Sequence, residues 1–263
     1  GVSRTAAKLN QQGIRTIRVD MRGSGASSGV SRSHLHGGNY WDANSSSDAV
    51  HLLSPNSKIS LVGFSLGGNI VLKTIGIWGS NPHAQIDAAL VVSPPIDLIH
   101  CSWHLRQHGN RLYESYFVKQ LQNQLRHRRK RVSNLVESEM RRFPTRLVHW
   151  DDQFTAPCWG YRNAHDYYRD ASSAPNLMDV QVPTLLVTAM DDPVVPCKMY
   201  ADHPMSNSIK IVATEHGGHL GFFGRRGGDP DRHWLDWRIC EWCQSLTSSS
   251  SESASSGIAE FCH

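Results

Sequence analysis

Apolar positions along the chain fall into short blocks separated by polar, glycine-rich stretches, and the period inside each block predicts its element. Residues 3–12, SRTAAKLNQQ, carry a helical spacing that stops at Gly13, a residue suited to closing a helix. IRTIRVD (14–20) is a β-branched run ended by the loop MRGSGASSG (21–29), and is expected to be a strand. KISLVGF (58–64) predicts a short buried strand that runs directly into a helical pattern, SLGGNIVLKTIGIW (65–78). AALVVSP (88–94), TLLVTAM (184–190) and SIKIVATEH (208–216) predict three further strands. A last helix over about 231–246 takes its apolar face from Trp234, Leu235, Trp237, Ile239 and Trp242.

Near-continuous apolar strands alternating with helices indicate a mostly parallel sheet covered on both faces. The expected order is α-β-α-β-α-β, an insertion, then β-α-β-α. The insertion, about 95–180, is rich in Arg, His, Tyr and Trp with weak strand signals, and is expected to be a helical cap. Residues 1–246 therefore form one domain, and the Ser-rich stretch 247–263 is expected to be a disordered tail.

Composition narrows the function classes. The chain has 263 residues, enough for one large α/β domain, and 39% of them are hydrophobic. Disorder of the whole chain is thereby excluded, and no run approaches the roughly 20 apolar residues of a membrane-spanning helix. A net charge of +4 does not demand a nucleic-acid partner, and none is expected. The six cysteines are scattered and a core of this size needs no disulfides, so reduced thiols in a cytoplasmic setting are the expectation.

The chemistry centres on Gly63-Phe64-Ser65-Leu66-Gly67, placed where the predicted strand meets the predicted helix. That is the context of a nucleophile elbow. Glycines two before and two after the serine are expected to relieve a tight turn. The turn lifts the Ser65 hydroxyl above the sheet and leaves the Leu66 N–H to receive an oxyanion. A serine needs a base, and the base a carboxylate, here in the order Ser, Asp, His. After the fourth predicted strand stand Asp191 and Asp192; Asp192, four before Pro196, is favoured, and Asp191 is expected to cap or face solvent. After the fifth stand His216 and His219; His219, presented by Gly217-Gly218, is favoured. A metal pair of the two histidines has no third ligand at recognisable spacing, and no metal or cofactor is expected.

Other motifs carry less. Gly23-Ser24-Gly25-Ala26-Ser27-Ser28-Gly29 fails the dinucleotide fingerprint at Ser28, and Asp20 and Arg22 are expected to brace this loop. The basic cluster Arg126–Arg131 could meet nucleic acid or anionic lipid headgroups, but its plainer reading is the solvated face of a cap helix. Cys240 and Cys243 form a C-x-x-C inside a helix and are read as structural thiols. Trp103, Tyr113, Tyr116, Phe117 and Trp159 offer an apolar lining for an acyl chain, although packing between cap and sheet accounts for most of them.

The chain resembles the YheT-like branch of the α/β-hydrolases, the group that also holds ABHD-type and plant embryogenesis-associated proteins. RVDMRGSGAS (18–27), LVGFSLGGNIVLK (61–73), SPPIDL (93–98), RLYESYF (111–117), DDQFTAP (151–157), HDYYRDAS (165–172), DDPVVP (191–196) and HGGHLGF (216–222) carry the resemblance. It implies an α/β-hydrolase fold and a charge relay of Ser65, Asp192 and His219. It also implies hydrolysis of short- to medium-chain carboxylic esters, with acylglycerols or phospholipids as further substrates and peripheral membrane contact as an option. The segment His34-Leu35-His36-Gly37-Gly38-Asn39-Tyr40-Trp41 departs from the family's pattern at the pocket rim. The resemblance further implies N-terminal strands and a second oxyanion donor ahead of the first predicted helix. Their absence from this sequence sets the expectation of weak activity, and a catalytically impaired binding or scaffold protein stands as the alternative.

Overall fold

In the computed structural model, residues 1–81, 83, 85–135 and 142–248 are described. The framework is a four-stranded sheet with strands in chain order, β1 (Ile59–Phe64), β2 (Ile86–Val92), β3 (Thr184–Ala189) and β4 (Ile209–Thr214). All three pairings are parallel, with Val62 opposite Leu90, Leu90 opposite Leu185, and Leu185 opposite Lys210. Parallel neighbours require crossovers, and helices supply them. The helices α1 (Val2–Gln11) and α2 (Tyr40–Leu53) precede β1, and α3 (Leu66–Trp78) joins β1 to β2. A helical segment joins β2 to β3, and α9 (Lys198–Ala201) joins β3 to β4.

The apolar runs of β2 and β3 are continuous because both faces are covered. Ala88, Leu90, Val92, Leu185, Val187 and Ala189 pack with Leu9 of α1 and with Leu235, Ile239 and Trp242 of α10 (Trp234–Ser248). Ala89, Val91 and Leu186 point the other way, onto Val71, Leu72 and Ile75 of α3 and Met199 of α9. The alternation is the period-2 pleat seen from both sides.

Between β2 and β3 lie α4 (Leu98–Leu105), α5 (Arg111–Arg129) and α6 (Leu147–Trp150). A π turn (Asp151–Thr155), α7 (Ala156–Cys158), α8 (Ala164–Ala171) and a 3-10 turn (Ala174–Asp179) complete this insertion. Asn163 caps α8 by accepting from the Asp166 N–H at 2.9 Å, as Asp97 caps α4 from the His100 N–H at 3.0 Å. Buried Asp151 accepts from Tyr168 Oη and Thr155 Oγ1, both at 2.6 Å. Its carboxyl is nonetheless pushed up to about 6, because desolvation outweighs those two hydroxyls.

Three sequence expectations are corrected. Residues 14–20 form no strand: the run has no ladder partner among the described residues, and Ile17 and Val19 stay 44% exposed. β-branched residues favour a strand only where a neighbouring strand accepts their backbone groups. Arg128, read as part of a solvated face, is 1% exposed. Its guanidinium donates to Ser31 O at 2.7 Å, Ser33 O at 2.9 Å and His34 Nδ1 at 3.1 Å, fastening α5 to the loop after the glycine stretch. The proposed lining aromatics do not converge. Trp103, Tyr113 and Tyr116 are exposed, Phe117 packs into the α3-side core, and Trp159 lies edge-on to His36. Asp20 does brace its loop, accepting from the Ala26 N–H at 2.9 Å, whereas Arg22 reaches Asp42 of α2 at 2.6 Å.

Cys240 and Cys243 are buried within α10 and, like Cys101 and Cys197, are free thiols. Residues 247 and 248 end α10, and the rest of the expected tail lies outside the described residues. Among the described residues no helix is long and apolar enough to cross a membrane.

Candidate active site

Parallel strands end on one edge of a sheet, and the three candidate residues leave it there: Ser65 directly after β1, Asp192 after β3, His219 after β4. Ser65 adopts φ 48°, ψ −122°, a conformation L-residues rarely take, and its N–H is held by Val92 O at 2.8 Å. The turn needs glycine on one side only. A Cβ at Gly63 would stand 2.7 Å from Gly67 O and from Gly68 Cα, whereas one at Gly67 meets nothing within 4 Å. The expectation of a steric demand at Gly67 is therefore corrected. Gly68 fills the packing role, since its Cβ would lie 3.1 Å from Pro94 Cβ and 3.4 Å from Val91 Cβ. Leu66 opens α3, so its N–H has no carbonyl one turn back to donate to.

Ser65 Oγ lies 2.8 Å from His219 Nε2, and His219 Nδ1 lies 2.9 Å from Asp192 Oδ2. A carboxylate only accepts, so Nδ1 carries the proton and Nε2 accepts from the serine hydroxyl. The Asp192 side chain is fully buried. Its second oxygen accepts from the Val194 and Val195 N–H groups, at 2.8 and 2.9 Å, which fixes the carboxylate plane.

His219 rides on a tight loop. Gly217 O accepts from the Gly221 N–H at 2.9 Å and the Phe222 N–H at 3.0 Å, and Leu220 and Phe222 both have positive φ. Gly217 has no room for a side chain, its Cβ falling 2.7 Å from the Phe222 ring and 2.8 Å from Ala189. Asp191, expected only to cap or face solvent, accepts from the Gly217 and Gly218 N–H groups at 2.9 and 2.8 Å. Those bonds, the Gly218 one foremost, hold its carboxyl below the usual range. His216 is largely exposed and 3.5 Å from Asp191, apart from the Ser65 chain.

Asn69 was legible only as part of a small-residue stretch, yet it ties the site together. It is completely buried. Its amide donates to Gly37 O at 2.8 Å and Ala171 O at 2.9 Å, and its carbonyl accepts from the Ser173 N–H at 2.9 Å. The Gly37 N–H donates to Tyr167 Oη at 3.0 Å. A Cβ on Gly37 would stand 3.0 Å from Leu66, and one on Gly38 would stand 2.5 Å from Ala171 Cα. The signal was a polar side chain inside the apolar run LGGNIVLK. Neighbouring His36 bonds Tyr161 Oη at 3.1 Å, and burial pulls its pKa down to about 4. Among the described residues no cluster of three or more His, Cys, Asp or Glu side chains could hold a metal.

Residues 2–220 match the profile of the family described as serine aminopeptidase, S33. YheT of Escherichia coli is 33% identical over 190 residues, which is 69% of this chain and 53% of that protein. Monoacylglycerol lipase of Saccharomyces cerevisiae is 28% identical over 72% of this chain and 42% of its own length. Human phospholipase ABHD3 is 29% identical over 66% of this chain and 42% of its own length. The chain thus spans about half the length of the curated relatives it matches. The monoacylglycerol lipase of Paleococcus ferrophilus superposes with a TM-score of 0.52 at 16% identity, over 92% of this chain and 88% of its own. Est1E of Butyrivibrio proteoclasticus superposes at 0.53 and 15% identity, over 94% and 83%. These two show the fold: a parallel sheet with helices around it, as in the α/β hydrolases. The chain belongs to the matched family, in the YheT/ABHD branch of the α/β-hydrolase superfamily.

Proposed function

We propose that the protein hydrolyses carboxylic esters through an acyl-enzyme on Ser65, and the observation that carries this is the unbroken Ser65–His219–Asp192 hydrogen-bond chain on a strained elbow. His219 Nε2 takes the Ser65 proton as Oγ attacks the ester carbonyl. The Leu66 N–H faces the oxygen that becomes negative. Asp192 keeps Nδ1 protonated and stabilises the imidazolium. The imidazolium returns its proton to the leaving alkoxide. A water, deprotonated by the same nitrogen, then clears the acyl group and regenerates the Ser65 hydroxyl.

Relatives named monoacylglycerol lipase and phospholipase favour acyl esters, with acylglycerols or phospholipids as the physiological class. The same residues could act on amides, as the matched family's description suggests. A panel of p-nitrophenyl esters from acetyl to decanoyl, beside aminoacyl p-nitroanilides, separates the two. Ester turnover that Ser65→Ala removes supports the reading; turnover confined to the anilides, or equal in Ser65→Ala, overturns it.

A further inference from the structure

The helix α5 presents two opposite stripes. Glu114, Val118, Leu125 and Arg128 are buried and Leu121 half-buried, a spacing of 4, 3, 4 and 3 that marks one face. The opposite stripe begins with exposed Leu112 (83%) and Tyr116 (59%) and continues through exposed Lys119 and Arg126, whose guanidinium lies over the Phe143 ring at 4.8 Å, to exposed Lys130 just past the helix end. Glu114 is the sole acid in 111–131 and is turned inward, accepting from Arg146 at 2.8 Å and the Leu147 N–H at 3.1 Å. The stretch that follows does not cancel the charge, because Glu137 and Glu139 are matched in sequence by Arg141 and Arg142.

We propose that this outer stripe of α5 is a docking surface for an anionic lipid bilayer. Lysine and arginine along the stripe, with an aliphatic and an aromatic residue at one end that can enter the headgroup region, suit peripheral contact with an anionic membrane surface. The nineteen residues of α5 span roughly 28 Å at the helical rise, long enough to engage several headgroups. Leu112 and Tyr116 stand on the same stripe as the cations, so one surface offers apolar contact and positive charge together, which favours a lipid surface over nucleic acid. The docking goes beyond the proposed ester chemistry and does not rest on it.

The test is sedimentation of the 263-residue chain with phosphatidylcholine vesicles, with and without 30% phosphatidylserine. The expected result is binding to the anionic vesicles only, weakened by salt. Each basic residue near such a surface is worth about fivefold in partition, so Lys119→Gln/Arg126→Gln/Lys130→Gln lowers it roughly 10²-fold. The pair Leu112→Ser/Tyr116→Ser weakens it as well, and turnover of a water-dissolved ester is unchanged in both variants. Circular dichroism confirms that each variant is folded. Absence of binding to anionic vesicles, binding indifferent to both sets of changes, or a DNA duplex that competes the protein off at equal phosphate overturns the proposal. Loss of esterase activity with vesicle binding intact would instead count against the proposed function.

Discussion

Replacing Asn69 with alanine removes three hydrogen bonds at a point with no access to water. The side chain joins α3, which carries the nucleophile, to the Gly37 loop and to the junction between α8 and the 3-10 turn. Each lost bond of this kind is worth about 1 kcal/mol, and each buried group left without a partner costs about 1–3 kcal/mol more. Relaxation and the second lone pairs of the carbonyls return part of this, so a loss of about 3–5 kcal/mol is expected, among the larger single-site effects. A loss of about 4 kcal/mol lowers Tm by roughly 8–16 °C in a chain of this size. Leucine, matched in size, should be as damaging, because the defect is unmet polarity and not volume. Aspartate should be worse, since it faces the Gly37 and Ala171 carbonyls with oxygen. Urea titration reads the stability directly, with the m-value as a check that unfolding remains cooperative. A midpoint corresponding to less than about 1 kcal/mol for both alanine and leucine would refute the idea that this side chain holds elbow and cap together.

Two further outcomes follow from the same geometry. Asp191→Ala frees Gly217 and Gly218 and should lower kcat by about 10- to 100-fold with little change in KM, by displacing His219. Asp191→Asn, which retains the accepting oxygen, should recover most of it; equal losses in the two would show that the hydrogen bonds are not what positions the loop. Acid stability should divide between two buried groups of opposite sign. His36 has a folded pKa of about 4 against an ordinary 6.5, so the unfolded chain binds its proton first and stability falls as pH drops from 6.5 to 4, by about 3 kcal/mol. Asp151 has a folded value of about 6 against 3.8, so the folded chain binds its proton first and stability rises by a similar amount from pH 6 to 3.8. His36→Gln should therefore gain stability relative to the parent on acidification and Asp151→Asn should lose it, measured by urea midpoints at pH 7 and 4.5. The same pH trend in both variants would contradict the assignment.

What the sequence made legible was chemistry governed by near neighbours. The elbow is written in the five residues Gly63–Gly67, because the strand, the glycine and the helix that make Ser65 strained are adjacent to it. Asp192 and His219 were legible because parallel strands must end together, so that residues just after β3 and β4 reach the same edge as Ser65. The features that escaped depend on distant partners. IRTIRVD has the residues of a strand, but a strand exists only where another accepts its hydrogen bonds. Arg128 looked like one more solvated charge because its carbonyl partners, Ser31 and Ser33, lie some hundred residues earlier. Gly67 fits the motif, yet the space that would make it obligatory is open. Asp191 sat beside the favoured acid and seemed redundant until the loop it holds was seen.

The proposed activation of Ser65 by His219 is read by peptide mass spectrometry after treatment with a fluorophosphonate, which reacts with activated serine hydroxyls. One phosphonyl adduct is expected on the peptide holding Gly63–Gly67, strongly slowed in His219→Ala and lost in Ser65→Ala. No adduct on folded protein, or an adduct at another serine that survives Ser65→Ala, would contradict it.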